Sequence, residues 1–211
     1  MFEIEYKGGN SIIVSTKKTK IIVDPKLSII GLKDLSTDDA VELATEERFA
    51  INSNDSGLII DGPGEYGVGG IHIYGIAARR HIDQVSEGMN STVYRLEIGD
   101  VRIGIIGNID NKMSDEQLES LGLIDILVIP IGGGGYTLDA VGAASLVRQI
   151  DPKIVVPVHY ADSQIKYEVP QDTLATFIKE MDAPIETVSK YKLKQLPIAQ
   201  TTITIIEITR S

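Results

Sequence analysis

The side chains able to do chemistry in this chain are few and widely spaced. There are three histidines, His72, His81 and His159, and no cysteine. A site of the usual kind for two metal ions needs more nitrogen donors than three histidines supply. The lack of cysteine excludes disulfides, thiolate ligands and cysteine nucleophiles. Carboxylates and an amide stand beside turn signals. Asp24 precedes Pro25, Asp61 precedes Gly62-Pro63-Gly64-Glu65-Tyr66, and Asn108 follows Ile105-Ile106-Gly107. A glycine run, Gly132 to Gly135, leads into a helical pattern, where backbone amides can meet an anion. The Gly-Lys-Ser/Thr ending of a nucleotide phosphate loop is absent, because Tyr136 and Thr137 follow.

Each of these residues also has a structural reading. His159 ends an apolar run, as a ligand or as a hydrogen-bonded structural residue. His81 follows Arg79 and Arg80 in a polar stretch that reads as a surface loop or as a ligand position. His72 lies between Ile71 and Ile73, so strand alternation turns it away from them. Asn108 reads as a turn cap, Asp24 as a turn former, and Gly62-Pro63-Gly64 as a tight turn. The acidic run from Asp34 to Glu47 reads as a solvated face.

The elements that must position these groups fall into two halves. Up to about residue 107 the pattern is strand and turn. Phe2, Ile4 and Tyr6 alternate with polar residues, and Ser11–Ser15 and Lys20–Val23 form a hairpin around Thr16-Lys17-Lys18. Residues 57–60, 68–76, 92–98 and 101–106 continue the pattern, with Gly99-Asp100 as a tight turn. The second half alternates types. Residues 114–121 form a helix capped by Ser114, and residues 137–150 a helix capped by Thr137 with Asp139 in its first turn. Residues 171–181 form a third. Residues 125–131 and 153–158 are almost wholly apolar, as buried central strands are, and 203–208 closes the chain as a strand. Thr37 to Phe49 reads either as a short amphipathic helix, by local propensity, or as a strand running into a loop.

Composition bounds the function. The 211 residues suit one domain spanning 1–211, with 43% hydrophobic and 24% charged residues. The net charge of −10 disfavours nucleic acids and anionic membranes as partners. No apolar run is long enough to span a bilayer, and no signal layout opens the chain, so a cytoplasmic location is expected.

Taken in order, Ile21-Ile22-Val23-Asp24-Pro25, Asp61-Gly62-Pro63-Gly64-Glu65-Tyr66, Gly107 after a strand, Pro130-Ile131-Gly132-Gly133 with Tyr136-Thr137-Leu138-Asp139-Ala140, and Pro157-Val158-His159-Tyr160 resemble the metallo-β-lactamase superfamily. The resemblance is to its branch of UlaG-like predicted zinc-dependent hydrolases, and it runs from Tyr6 to about Ile205. It implies an α/β (α+β) fold, a four-layer αβ/βα sandwich of two mixed sheets with helices outside. Over Thr37 to Phe49 it favours a strand and then a loop. It makes the glycine run a flexible active-site loop, and it makes Asp24 and Asp61 supports for a metal site.

The resemblance also places the family's ligands. Glu46 falls where the first histidine of its His-x-His-x-Asp-His motif belongs, Arg48 at the second, Ala50 at the aspartate and Ile51 at the last histidine. His81 matches the histidine after the long strand, Asn108 the bridging aspartate, His159 the final histidine, and Gly9 a histidine near the start. Ala50 and Ile51 have no donor atom, and Arg48 carries a fixed positive charge. These positions read as vestigial. No cofactor is expected, while a single zinc ion held weakly by His81, His159 and Glu46 stays open. Three functions follow: a non-catalytic or weakly active member of the fold with Arg48 in the space of the cation; a single-metal or metal-free hydrolase of a small ester, lactone or phosphodiester; or an oligomeric binding or assembly subunit. The partner is an unknown small molecule or protein, with a homo-oligomer among the expectations.

Overall fold

The computed structural model describes residues 1–193 and 202–211. The chain builds two sheets. The first uses β1 (Phe2–Gly8), β2 (Ser11–Ser15), β3 (Lys20–Val23), β4 (Val41–Leu43) and β5 (Leu58–Ile60). The second begins with β6 (Gly64–Val68), β7 (Ile71–Ala78), β8 (Ser91–Ile98) and β9 (Val101–Ile105). Then come α1 (Asp115–Leu121), β10 (Ile126–Pro130), α2 (Ala140–Ile150), β11 (Ile154–Val158), α3 (Leu174–Met181), β12 (Ile185–Val188), β13 (Tyr191–Leu193) and β14 (Thr204–Ile208). The six-stranded sheet has the order β13-β1-β2-β3-β4-β5, and the eight-stranded sheet the order β12-β14-β11-β10-β9-β8-β7-β6.

Burial periodicity explains the layers. Phe2, Ile4 and Tyr6 of β1 point inward and meet Ile71, Ile73, Leu96, Ile103 and Val128 of the other sheet in one apolar cluster between the sheets. β10 and β11 are buried along their whole length, because their other faces meet α1, α2 and α3 through Leu127, Val155, Leu121, Ala144 and Phe177. The outer face of the six-stranded sheet has a thinner cover. Ile13 and Ile22 pack on Ala40 and Leu35, from the segment after a 3-10 turn at Leu27–Ile30.

Several local expectations change. The strand expected over 68–76 is the end of β6 and most of β7, joined at Gly69-Gly70, whose φ values of 58° and 83° suit a tight hairpin. α2 is capped by Asp139, which accepts the Gly142 N–H at 2.7 Å, rather than by Thr137, whose hydroxyl is buried without a partner among the described residues. Ser114 does cap α1, accepting from the Gln117 N–H at 3.2 Å. Thr37 to Phe49 runs as a strand, a loop and a 3-10 turn at Glu47–Phe49, as the family resemblance favoured. The edge strands β12 and β13 were not expected. They are short and carry mixed polar residues, which gives periodicity little to act on.

The acidic run is not a uniformly solvated face. Glu42 is fully buried, and its carboxylate accepts the Ile51 N–H at 2.5 Å, the Asn52 N–H at 3.0 Å and the Ser56 hydroxyl at 3.0 Å. It ties down the connection between the parallel strands β4 and β5. No helix among the described residues is long and apolar enough to cross a membrane. The Glu42→Gln protein should lose about 2 kcal/mol of stability, because an amide offers one acceptor oxygen to donors that now share two. Urea unfolding measures this, and an unchanged midpoint would show that the tether contributes nothing.

Candidate functional site

The strand directions bring the singled-out residues to one edge. β3, β4 and β5 are parallel, as are β9, β10 and β11, and each ends in a site segment. Asp24 follows β3, Thr45 to Phe49 follow β4, Asp61 follows β5, Asn108 follows β9, the glycine loop follows β10, and His159 follows β11. β7, running the other way from β8, delivers Arg79, Arg80 and His81. Two glycines let these ends close up. A Cβ on Gly107 would meet the Thr45 side chain at 2.6 Å, and one on Gly132 would meet the His159 carbonyl at 2.2 Å.

Glu46 is the hub. It is 2% exposed, and its Oε1 accepts from Arg48 Nη2 at 3.1 Å and from Asn108 Nδ2 at 3.1 Å. Its Oε2 lies 2.9 Å from Arg48 Nε and 3.5 Å from Arg80 Nη1. Asn108 accepts in turn from Asn10 Nδ2 at 2.9 Å. Arg80 is anchored from behind by Asp83, whose Oδ1 accepts from its Nε at 2.8 Å and its Nη2 at 2.5 Å. The Arg48 guanidinium also lies over the Phe49 ring, 4.7 Å from its centroid.

Asp24 supports this hub through Thr45. Its carboxylate accepts the Thr45 N–H and the Thr45 hydroxyl, each at 2.7 Å. Burial lifts its pKa to about 7; the Thr45 bonds oppose that rise, Glu46 adds to it, and Arg48 counters it. His159 is held at φ 51°, a left-handed conformation, with its N–H on the Gly9 carbonyl at 2.9 Å and its Nδ1 3.1 Å from Gln171 Oε1. Burial lowers its pKa to about 4, against the Gln171 contact, and Arg48 lowers it further, so the ring is neutral near pH 7.

The remaining positions are less involved. Ala50 is buried and Ile51 half-buried; only their backbones bond, to the Glu47 carbonyl and to Glu42. His81 donates its N–H to the Asn108 carbonyl at 3.2 Å, while its Nδ1 is buried without a partner among the described residues. Asp61 is exposed, and His72 is exposed on β7. Among the described residues no three histidine, aspartate or glutamate side chains form a group that could hold a metal, so His81, His159 and Glu46 do not assemble as one. Asn10, Arg80 and Gln171 are site residues that sequence reasoning passed over. Asn10 follows Gly9, at the family's early histidine position, and Arg80 adjoins His81. Gln171, twelve residues beyond His159, gave no signal.

Two hollows flank Arg48. One, of about 260 Å³, is lined by Ile29, Ile30, Phe49, Val169 and Tyr167, with Arg48, Asn108 and His159 among its polar groups. The other, of about 420 Å³, is polar and includes Glu46, Asp61, Arg80 and Ser91.

Known proteins agree with this architecture. The sequence profile of the β-lactamase superfamily domain matches residues 3–159. Over 83 residues the chain is 35% identical to a protein of Thermoplasma acidophilum described as a UPF0173 metal-dependent hydrolase. That match takes in 34% of this chain and 36% of the relative, well short of its full length. A Thermotoga maritima protein described as a candidate Zn-dependent hydrolase of the metallo-β-lactamase superfamily superposes with a TM-score of 0.78 at 20% identity, covering 99% of this chain and all of that one. Igni18, a metallo hydrolase of Ignicoccus hospitalis, gives 0.67 at 15% identity, covering 92% of this chain and 99% of that one. At such identities the structures share the fold alone. With the profile matched across most of its length and the fold reproduced, the chain belongs to the β-lactamase superfamily and is built on the metallo-β-lactamase fold.

Proposed function

We propose that this chain keeps the scaffold of the metal-dependent hydrolases but uses its site to bind rather than to hydrolyse, with the Arg48 guanidinium in the space of a catalytic cation. One observation carries the reading: the Nε and Nη2 of Arg48 both face the buried carboxylate of Glu46. A catalytic zinc needs about three nitrogen or carboxylate donors and one open position. Here Ala50 and Ile51 supply no donor, and Arg48 repels a cation. Asn108 spends its amide N–H on Glu46 and its oxygen on Asn10; Glu46 Oε1 accepts two hydrogen bonds, and its Oε2 has ion-pair contacts with Arg48 and Arg80 only. The donor set does not fit a metal pair: the positions matching the family's two aspartates hold Ala50 and Asn108, and neither side chain can deprotonate a water nucleophile between metals. The runner-up is a single ion on a histidine, favoured by the unpartnered Nδ1 of His81 and the neutral ring of His159.

Metal content separates the two. Protein purified without tag or chelator should carry zinc, manganese and iron at well below one atom per chain, before and after incubation with zinc, by inductively coupled plasma mass spectrometry. A ratio near one or two that disappears in His159→Ala would restore the hydrolase.

The replacement also predicts energetic coupling. Arg48→Met leaves a buried carboxylate short of a partner and should destabilise, whereas Glu46→Gln in that background should cost less than in the wild type. A double-mutant cycle should give a coupling energy of at least about 1 kcal/mol. Additive costs would remove the guanidinium from its assigned role.

Without a metal, Asp24 and His159 titrate freely and in opposite senses. The folded pKa of Asp24 is raised from 3.8 to about 7, so its contribution is present at low pH and is lost as pH rises through about 7. The folded pKa of His159 is lowered from 6.5 to about 4, so its contribution is present above about 6.5 and is lost as pH falls through about 4. The stability penalty of Asp24→Asn should therefore shrink as pH rises through this window. That of His159→Asn, which tolerates the left-handed backbone, should grow. Parallel penalties from urea titrations across the window would contradict the metal-free titration.

A further inference from the structure

We propose that the hollow beside Arg48 binds a small apolar monocarboxylate, an inference that rests on the metal-free reading above. The guanidinium turns its Nε and Nη2 edge to Glu46, and its Nη1 has no hydrogen-bond partner among the described residues. Arg48 lines the 260 Å³ hollow, and 38% of its side chain is exposed. A donor is thus left over on a side chain that lines both this hollow and the polar one beside Glu46.

The charge near it leaves room for one negative group at most. Two guanidiniums, Arg48 and Arg80, stand against two carboxylates, Glu46 and Asp83, so the site offers the spare donor of Arg48 and no surplus charge beyond it. Glu168 sits exposed on the wall, and the chain as a whole carries −10, so a dianion such as phosphate meets opposition that one carboxylate largely escapes.

The walls select the rest of the ligand. Ile29, Ile30, Phe49 and Val169 present apolar surface, and Ile29 is 40% exposed. A short aliphatic tail would cover that surface, with its carboxylate on Arg48 as a charge-assisted bond in a partly dried site. The cavity falls just below the usual size of ligand sites, which limits the tail to a few carbons.

The test titrates the full chain, with its metal content measured beforehand, with hexanoate, hexanamide and inorganic phosphate by calorimetry. Hexanoate should bind one per chain, and hexanamide and phosphate at least about tenfold more weakly. Arg48→Gln should abolish binding, but it also strips Glu46 of a partner and can unfold the protein. Val169→Trp therefore carries the test: it fills the hollow without touching the ion pair and should weaken hexanoate at least about tenfold at unchanged melting temperature. Equal binding of hexanoate and hexanamide, tighter binding of phosphate, or indifference to Val169→Trp would overturn the proposal. A metal-free chain that ignores hexanoate would overturn the pocket while leaving the metal-free reading intact. Hexanoate that binds only after zinc is loaded would overturn that reading itself.

Discussion

A carboxylate buried at 2% exposure must be compensated, and the site edge is organised around how Glu46 meets that demand. Its compensation comes from four directions in the sequence: Arg48 two residues on, Asn108 at the end of β9, Arg80 at the end of β7, and Asn10 behind Asn108. These residues belong to segments that both sheets contribute. The contacts of Glu46 with Asn108 and Arg80 thereby link the two halves of the sandwich at this edge. A bound cation would draw the same strand ends together by collecting negative and neutral ligands. Here the signs are reversed, with one anion collecting positive and neutral donors.

The backbone around this hub carries its own constraints. Gly107 and Gly132 sit where a side chain would collide with Thr45 or with the His159 carbonyl, so the strand ends approach closely whatever fills the site. His159 holds a left-handed backbone through its bond to Gly9 and its contact with Gln171. Asp24 grips Thr45 by main chain and hydroxyl together. All of these contacts are made between protein atoms, so they hold the strand ends together by themselves.

Much of this was legible in the sequence, for identifiable reasons. β1, β2, β3 and β8 to β11 declare themselves by alternation or by continuous apolar runs, since their burial is one-sided or complete. Arg48 stands out as a positive charge at a ligand position, and the structure pairs it with Glu46, two residues before it. Other parts were hidden. Glu42 reads like its exposed acidic neighbours, because only three dimensions reveal the donors of Ile51, Asn52 and Ser56. Asn10 and Gln171 act by spatial adjacency to residues far along the chain, which no local pattern encodes. Gly69-Gly70 was a readable hairpin signal, obscured by an apolar run that continues on both sides of it.

The buried Glu42 has a consequence for how the molecule opens. Its carboxylate fastens the β4–β5 connection from beneath, through two backbone amides and a hydroxyl. That connection carries the residues surrounding Arg48. In a loop ordered by an exchangeable ion, ligand loss lets the segment fluctuate alone. Here the fastening is covalently part of β4, between Ile22 and Ile59 in the sheet register. Release of the loop thus leaves a carboxylate inside the sheet without its three donors, a cost that ties the stability of this stretch to that of β4.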